Sequence, residues 1–192
     1  MDSMLQNKIT LIGGHAGTGK TYLALSALFH LMDENVIDRI VVFCNPVVAR
    51  GAAKLGFYPG TRDEKLLGSS VGEVLSSKLG DSIEVIRLIE SGRLTLIPVG
   101  DSRGYEVPPH SGVYIMESQN LDIILLKLLL QRISEDSIVI VDGDRKTQTD
   151  MAMYAGENNG MKRMSKVFRG NELFGQVDLQ NIYRSKIAEL AD

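Results

Sequence analysis

The chain has 192 residues, of which 44% are hydrophobic and 23% are charged, and this is the composition of an ordinary globular protein. This length predicts a single domain over residues 1–192 with one core. The formal net charge of −3 excludes a protein coated with positive charge, so contact with nucleic acid would need a local basic patch. The single cysteine, Cys44, rules out an internal disulfide and fits a reducing, cytosolic setting.

A strand, a glycine-rich loop and a helix are predicted one after another near the start of the chain. Residues 9–12 form a short apolar run, and residues 22–32 are apolar on almost every face, as in a helix that lies between a sheet and another layer. Between them, residues 14–21 read GHAGTGKT, with the spacing G-x-x-x-x-G-K-[ST]. Glycines allow successive backbone N–H groups to surround an anion, and the helix N-terminus adds the positive end of its dipole. The pattern predicts a loop that binds the phosphates of a nucleoside triphosphate.

Each residue of this loop has an expected task. Lys20 would reach the β and γ phosphates, and the Thr21 hydroxyl would bind a Mg²⁺ ion. The predicted cofactors are therefore ATP and Mg²⁺. The residues expected to surround the nucleotide here are Gly14, Ala16, Gly17, Thr18, Gly19, Lys20 and Thr21.

The rest of the chain alternates between strand and helix patterns. Strands are predicted at residues 39–43, 94–97, 112–116 and 137–141 and again from residue 177, and helices at residues 71–79, 83–89 and 121–133. This alternation predicts a parallel α/β sheet with right-handed crossovers, whose ligands gather at the carboxyl ends of the strands. The segment 121–133 is too short to cross a bilayer, which takes ~20 residues, and is predicted to be a buried helix. No signal-peptide pattern precedes the loop.

With these motifs in place, the sequence resembles the PhoH family of phosphate-starvation-inducible P-loop ATPases, which are related to the core of superfamily 1 helicases. The resemblance covers nearly the whole chain, and several features are similar to phage-encoded members. It rests on GHAGTGKTYLA at 14–24, NPVV at 45–48, KLGFYPGTRDEK at 54–65, Arg103-Gly104, ESQN at 117–120, GDRKTQTD at 143–150 and IYRSKIAELA at 182–191. It implies a three-layer RecA-like fold with a mainly parallel sheet.

The resemblance also implies roles for residues outside the loop. Glu117 would polarise the attacking water, and Asp144 and Gln148 would belong to a loop that senses the γ-phosphate. Arg184 and Arg103 are candidate cations that would stabilise the charge of the phosphoryl group during transfer. For Glu117 a purely structural role at the start of a helix is the competing interpretation.

The sequence departs from the family pattern near the predicted metal site. The family usually has an Asp-Glu pair in a DEAQN motif, but here the first position is Met116, which removes the carboxylate that orients the water shell of Mg²⁺. The run IVIVD at residues 138–142 is a better match to four apolar residues followed by Asp, so Asp142 is a possible substitute. The predicted metal-site residues are thus Thr21, Glu117 and Asp142. Gln6 is the remaining candidate for reading the adenine base.

Two functions from different classes remain open at this point. The first is an ATP-hydrolysing motor that acts on RNA or single-stranded nucleic acid, in the cytoplasm and without a membrane partner. The resemblance implies that it forms a homo-oligomeric ring such as a hexamer. The second is a nucleotide-binding assembly or regulatory module with little turnover, which the loss of the carboxylate at Met116 would explain. A small P-loop kinase is a weaker third choice, because no lid-like cluster of arginines is evident.

Overall fold

The computed structural model describes residues 1–44, 72, 75–77, 81–144 and 156–183. Within this part, six strands form one sheet, and all neighbouring strands run parallel. The strands are β1 (Ile9–Gly13), β2 (Arg39–Cys44), β3 (Leu94–Pro98), β4 (Ser111–Ile115), β5 (Ile138–Gly143) and β6 (Phe174–Asp178). Their spatial order is β3-β2-β4-β5-β1-β6, so β5 lies between the strand that precedes the glycine loop and β4.

Helices connect the strands and cover the sheet. They are α1 (Asp2–Gln6), α2 (Lys20–Asp33), α3 (Ser82–Glu90), α4 (Ile123–Leu130) and α5 (Gly160–Phe168), with short 3₁₀ turns at Val99–Asp101, Ser118–Asn120 and Gly156–Asn158. Three of the helices begin at a side chain that accepts a hydrogen bond from a backbone N–H of the first turn. Asp81 accepts from Ile83, Asp122 from Leu125 and Asn159 from Lys162. These caps explain where the helices start.

The strands separate two hydrophobic cores, one on each face of the sheet. Alternate strand residues such as Ile12, Val42 and Tyr114 pack on the side of α2, together with Met116. Their neighbours, such as Leu11 and Val41, pack on the other side against α4 and α5. Because both faces are covered, β2, β4 and β5 are buried along almost their whole length, as expected for central parallel strands. The three-layer α/β arrangement expected from the sequence is confirmed.

Two predicted elements differ from those observed, and one observed helix was not predicted. The segment 121–133 contains a helix, but α4 is buried on one side only, at Leu126 and Leu129, and Ile124 is 76% exposed. The helix predicted to be buried is therefore buried along one side only, because α4 covers one face of the sheet and its outer side is exposed. The last strand begins at Phe174 rather than near residue 177. The helix α1 carried too short a pattern to be predicted.

Other expectations can be compared in part. Residues 72 and 75–77 are helical, as predicted for the segment 71–79. The segment NPVV, the segment KLGFYPGTRDEK and residues 145–150 of the segment GDRKTQTD lie outside the described residues. None of the helices in the described part of the chain has the length and hydropathy that crossing a membrane requires.

Candidate functional site

The glycine loop connects β1 to α2 in a backbone conformation that needs glycine. Gly17 and Gly19 have φ angles of 81° and 82°, in the left-handed region that other residues rarely adopt. Gly19 is also the N-cap of α2, so the free N–H groups of the first helical turn point toward the loop. The loop is attached to the neighbouring strand because Gly14 donates a 3.2 Å hydrogen bond to the carbonyl of Gly143. This is the geometry in which a phosphate binds at the start of a helix.

Lys20 is folded back across the loop. Its ammonium group donates to the carbonyl oxygens of Gly14 and His15, each at 2.9 Å, and the residue is only 8% exposed. The Thr18 hydroxyl donates to the same His15 carbonyl at 2.8 Å. A buried cation is therefore held beside the N-terminus of α2, where it adds to the positive end of the helix dipole.

Glu117 follows the end of β4 in a strained conformation. Its φ of 52° and ψ of 44° are left-handed, which is uncommon for a residue other than glycine and costs free energy that neighbouring contacts must offset. Two contacts hold it there. The Glu117 backbone N–H donates to Asp142 Oδ1 at 2.8 Å, and its side-chain Oε2 accepts from Gln119 Nε2 at 2.5 Å. Strain of this kind is typical of functional sites.

Asp142 joins the end of β4 to the glycine loop. It lies on β5, where Ile115 pairs with Val141, so Asp142 comes directly beside Met116 at the next position of the two strands. Its carboxylate is fully buried and accepts from Glu117 through Oδ1 and from the Tyr114 hydroxyl through Oδ2 at 2.8 Å. Asp142 is thus placed beside Met116, the position at which the family pattern has a carboxylate.

The ionisation of this cluster reflects its burial. Burial, and then the negative charge of Glu117, raise the pKa of Asp142 to about 7, although the Glu117 N–H, the Tyr114 hydroxyl and Lys20 act in the opposite direction. Burial and the Asp142 charge raise the pKa of Tyr114 well above its ordinary value, while a hydrogen bond with the Thr21 side chain opposes this. Thr21, Tyr114, Asp142 and Glu117 therefore form one continuous network from the glycine loop to the end of β4.

A second set of contacts surrounds Asp144, which is 6% exposed. The Asp144 backbone N–H donates to Gln119 Oε1 at 3.0 Å, and its carboxylate lies 3.5 Å from His15 Nδ1 of the glycine loop. Because Gln119 also holds the Glu117 carboxylate, its amide connects the ends of β4 and β5. Asp144 and Glu117 are thus brought together beside the loop.

Not every candidate residue reaches this cluster. Arg103 is exposed and follows β3, which is four strands from β1 in the sheet, or about 19 Å at the usual spacing of ~4.8 Å. The structure therefore does not bring Arg103 to the glycine loop. It does not support a role for Arg103 at a nucleotide bound by the same chain. Gln148 and Arg184 lie outside the described residues. The residue before Arg184 is informative, because the Tyr183 N–H donates to the Gly17 carbonyl at 2.9 Å.

The residues present fit a nucleotide and a magnesium ion. The glycine loop, the N-terminus of α2 and Lys20 are complementary to phosphate groups. Mg²⁺ usually takes one or two carboxylates in addition to phosphates and water, and Thr21, Asp142 and Glu117 offer this donor set. No group of three His, Cys, Asp or Glu side chains arranged for a metal occurs in the described part of the chain.

The whole chain can now be compared with known protein families. The family model described as PhoH-like protein matches residues 1–191. The chain belongs to the PhoH-like family. Its glycine loop and the ESQN segment are therefore parts of a P-loop domain of this family.

Curated members of the family align along most of the chain. Protein PhoH2 of Bacillus subtilis (strain 168) is 33% identical over 190 residues, which are 95% of this chain and 42% of that protein. Protein PhoH2 of Mycolicibacterium smegmatis is 29% identical over 194 residues, 99% of this chain and 44% of the relative. A PhoH-like protein of Bacillus subtilis (strain 168) is 30% identical over 183 residues, which are 92% of this chain and 54% of that protein. The chain spans about half the length of these PhoH-like relatives.

Two residues of the site were not found by sequence reasoning. Tyr114 lies in the apolar run of residues 113–116, which was interpreted as a strand. Nothing in that run indicates that the Tyr114 hydroxyl donates a hydrogen bond to Asp142. The amide of Gln119 lies within the ESQN segment, but its two partners come from different strands. The alternation of β4 could have shown that Tyr114 and Met116 share a face, although not which strand lies beside them.

Proposed function

We propose that this PhoH-like chain binds ATP with Mg²⁺ and hydrolyses it. The observation that carries the proposal is the buried network that joins Thr21, at the start of α2, through Tyr114 and Asp142 to the strained Glu117. Networks of this kind hold catalytic groups in place before the substrate arrives, and phosphoryl transfer depends mainly on positioning and charge stabilisation.

Each part of the site then has a task. Lys20 stabilises the negative charge that the phosphoryl group carries during transfer, and the N–H groups of the glycine loop hold the phosphates. Glu117 orients the attacking water and accepts its proton. Mg²⁺, when bound, neutralises phosphate oxygens, and Thr21, Asp142 and Glu117 are the residues that would hold it or its water shell. Gln119 keeps the Glu117 carboxylate directed toward the loop.

We extend the proposal to a cytoplasmic motor that acts on RNA or single-stranded nucleic acid as a homo-oligomer. The match to the PhoH-like family over residues 1–191 supports this activity together with the resemblance described above, which relates that family to the core of superfamily 1 helicases. The single cysteine, Cys44, is buried at the end of β2, which fits a reducing setting.

A nucleotide-binding module with little turnover is the second candidate. It is favoured by Met116, whose thioether accepts hydrogen bonds only weakly and is 7% exposed within the core. The two functions differ in one measurable property. A motor hydrolyses ATP steadily and responds to nucleic acid, whereas a binding module releases ATP unchanged.

Steady-state hydrolysis of ATP with and without single-stranded RNA tests the proposal. We expect measurable turnover that depends on Mg²⁺ and rises when RNA is added. Binding of ATP by isothermal titration calorimetry, without release of phosphate over many binding lifetimes, would instead support the binding module. A lack of both binding and hydrolysis would contradict the phosphate site itself.

We also expect Arg184→Ala to lower the rate of hydrolysis by on the order of 10³-fold, with ATP affinity changed only slightly, because an arginine at the transferring phosphoryl group acts mainly in the transition state. The contact of Tyr183 with Gly17 supports action within the same subunit. A mixture of Arg184→Ala and Lys20→Ala proteins separates this from action on a neighbour. If activity returns on mixing, Arg184 serves the adjacent subunit, and light scattering should then show an oligomer.

A further inference from the structure

The helix α5 carries an unusual concentration of positive charge. Residues 158–171 contain Lys162, Arg163, Lys166 and Arg169 and no carboxylate, although the chain as a whole is acidic. All four side chains are exposed. The ion pairs between described residues, His15 with Asp144 and Arg87 with Glu84, involve none of them. These charges are therefore not explained by partners within the described part of the chain.

The spacing of the charges opposes helix stability. Lys162 and Lys166 are four residues apart and Lys166 and Arg169 are three apart, so the like charges lie beside each other on one face of α5. Like-charge pairs at these spacings destabilise a helix. The opposite face holds α5 in the fold through the buried Met161 and Met164. The basic face thus contributes nothing to packing.

Three of these cations surround a shallow pocket. Lys162, Lys166 and Arg169, together with Ser165, line a cavity of about 280 Å³. Ser165 is 6% exposed and its hydroxyl donates to Gln176 Oε1 of β6 at 2.6 Å, which fixes the base of the pocket against the edge of the sheet. A concave site with three cations and a polar base is complementary to the negative charge of phosphate groups.

We propose that this pocket binds backbone phosphates of a single-stranded nucleic acid, which follows the basic face of α5. The inference deepens the proposed motor function and rests on it for the identity of the polymer. A chain with a net negative charge can attract a polyanion only through such a local patch. An acidic protein segment is the competing occupant, and the experiment below includes it.

The position of α5 connects this surface to the catalytic carboxylate. Asn159, the N-cap of α5, donates from its amide to the Gln119 carbonyl at 2.9 Å, and the Gly160 N–H donates to the Leu121 carbonyl at 2.9 Å. The Gln119 side chain in turn holds Glu117. A ligand on the basic face therefore acts on a helix whose first turn is bonded to the residue that orients Glu117. Binding of nucleic acid is expected to change the rate of ATP hydrolysis.

The start of α5 also packs closely against the end of β5 at Gly143. A side chain at Gly143 of β5 would approach Met161 Sδ to 2.6 Å and Gln119 Oε1 to 2.7 Å. The start of α5, the 3₁₀ turn Ser118–Asn120 and the end of β5 are thus in close contact. This is the structural basis for coupling between the basic face and the site.

The test compares two triple variants that remove the same charge. One is Lys162→Ala/Lys166→Ala/Arg169→Ala, and its control replaces Lys8, Arg87 and Arg93, exposed cations that belong to other parts of the fold, by Ala. The probe is a fluorescein-labelled oligouridylate, measured by fluorescence anisotropy at several salt concentrations. We expect the α5 variant to lose tenfold or more in affinity, and its salt slope to fall by about 2, because each phosphate contact on a single strand contributes ~0.7. The control should bind as the wild type does.

Other outcomes are decisive in the opposite direction. Equal affinity of the two variants for oligouridylate, or no binding of oligouridylate by the wild type, would overturn the proposal. An α5 variant that loses binding to polyglutamate but keeps its affinity for oligouridylate would overturn it as well. Basal ATP hydrolysis without nucleic acid, measured in parallel, should be unchanged in the α5 variant, while its increase on adding oligouridylate should be lost. Because basal hydrolysis tests the proposed ATPase and anisotropy tests the basic face, the failure of one is distinguishable from the failure of the other.

Discussion

Replacement of Lys20 by Ala is expected to lower ATP hydrolysis by on the order of 10²- to 10³-fold and to weaken ATP binding, because it removes the buried cation beside the N-terminus of α2. The fold should persist, since within the described part of the chain the ammonium group donates to the loop carbonyls of Gly14 and His15, and the helix continues for about three further turns. Binding of a fluorescent ATP analogue and release of phosphate measure the two effects separately.

Lys8→Ala is the matched control for this change. Lys8 is exposed and precedes β1 at the end of the strand opposite the glycine loop, so its replacement alters the net charge equally without touching the site. We expect this control to bind and hydrolyse ATP as the wild type does. If Lys20→Ala bound the analogue with unchanged affinity, the assignment of the phosphate site would be wrong.

Replacement of Asp142 by Asn is expected to lower activity about 10- to 100-fold and to raise the Mg²⁺ concentration needed for half-maximal hydrolysis, as the loss of a partner of a metal's ligands usually does. The geometry makes this variant informative. Asn retains one acceptor for the Glu117 N–H, and the Tyr114 hydroxyl can rotate to accept from the new amide. The variant removes the negative charge but keeps the hydrogen bond from the Glu117 N–H. A loss of activity would therefore show that the charge of Asp142 is needed.

Two companion variants separate charge from positioning. Asp142→Ala removes the tether as well, and Tyr114→Phe removes one hydrogen bond while it leaves the carboxylate. If Asp142 only positions Glu117, Asp142→Asn should remain active and Asp142→Ala should fail. If its charge is required, the two Asp142 variants should both fail and Tyr114→Phe should lose less activity than either. Thermal unfolding of each variant checks that the fold is retained.

Met116→Asp completes the set, because it restores the carboxylate at the position where the family pattern has it. Met116 packs in the core on the α2 side and lies beside the buried Asp142, so a second carboxylate there would be close to a like charge. We expect the single variant to be destabilised by on the order of 3 kcal/mol and not to gain activity. Combined with Asp142→Asn, it should recover part of the lost hydrolysis. Robust activity of Asp142→Asn at low Mg²⁺ would contradict a role for the Asp142 charge.

Much of the architecture could be predicted from the sequence because it is encoded locally. The glycine spacing specified the loop, the short β-branched runs specified β2 and β5, and the alternation of strands with helices specified a parallel sheet. The predictions that differ from the structure concern burial and strand bounds, which depend on the neighbouring helices and strands. The burial of α4 is set by which layer lies outside it, and β6 is an edge strand whose pairing with β1, rather than its own pattern, defines where it starts.

The site divides in the same way. The sequence by itself determined the phosphate loop, the Glu117 carboxylate and the substitution of Met116, because each is a matter of residue type at a fixed spacing along the chain. Only the tertiary structure decided that Asp142 stands beside Met116, that Tyr114 joins it to Thr21, and that Arg103 follows a strand distant from β1. These facts follow from the order of strands in the sheet. Strand order is set by how the helices pack on the two faces, a long-range balance that no local spacing records.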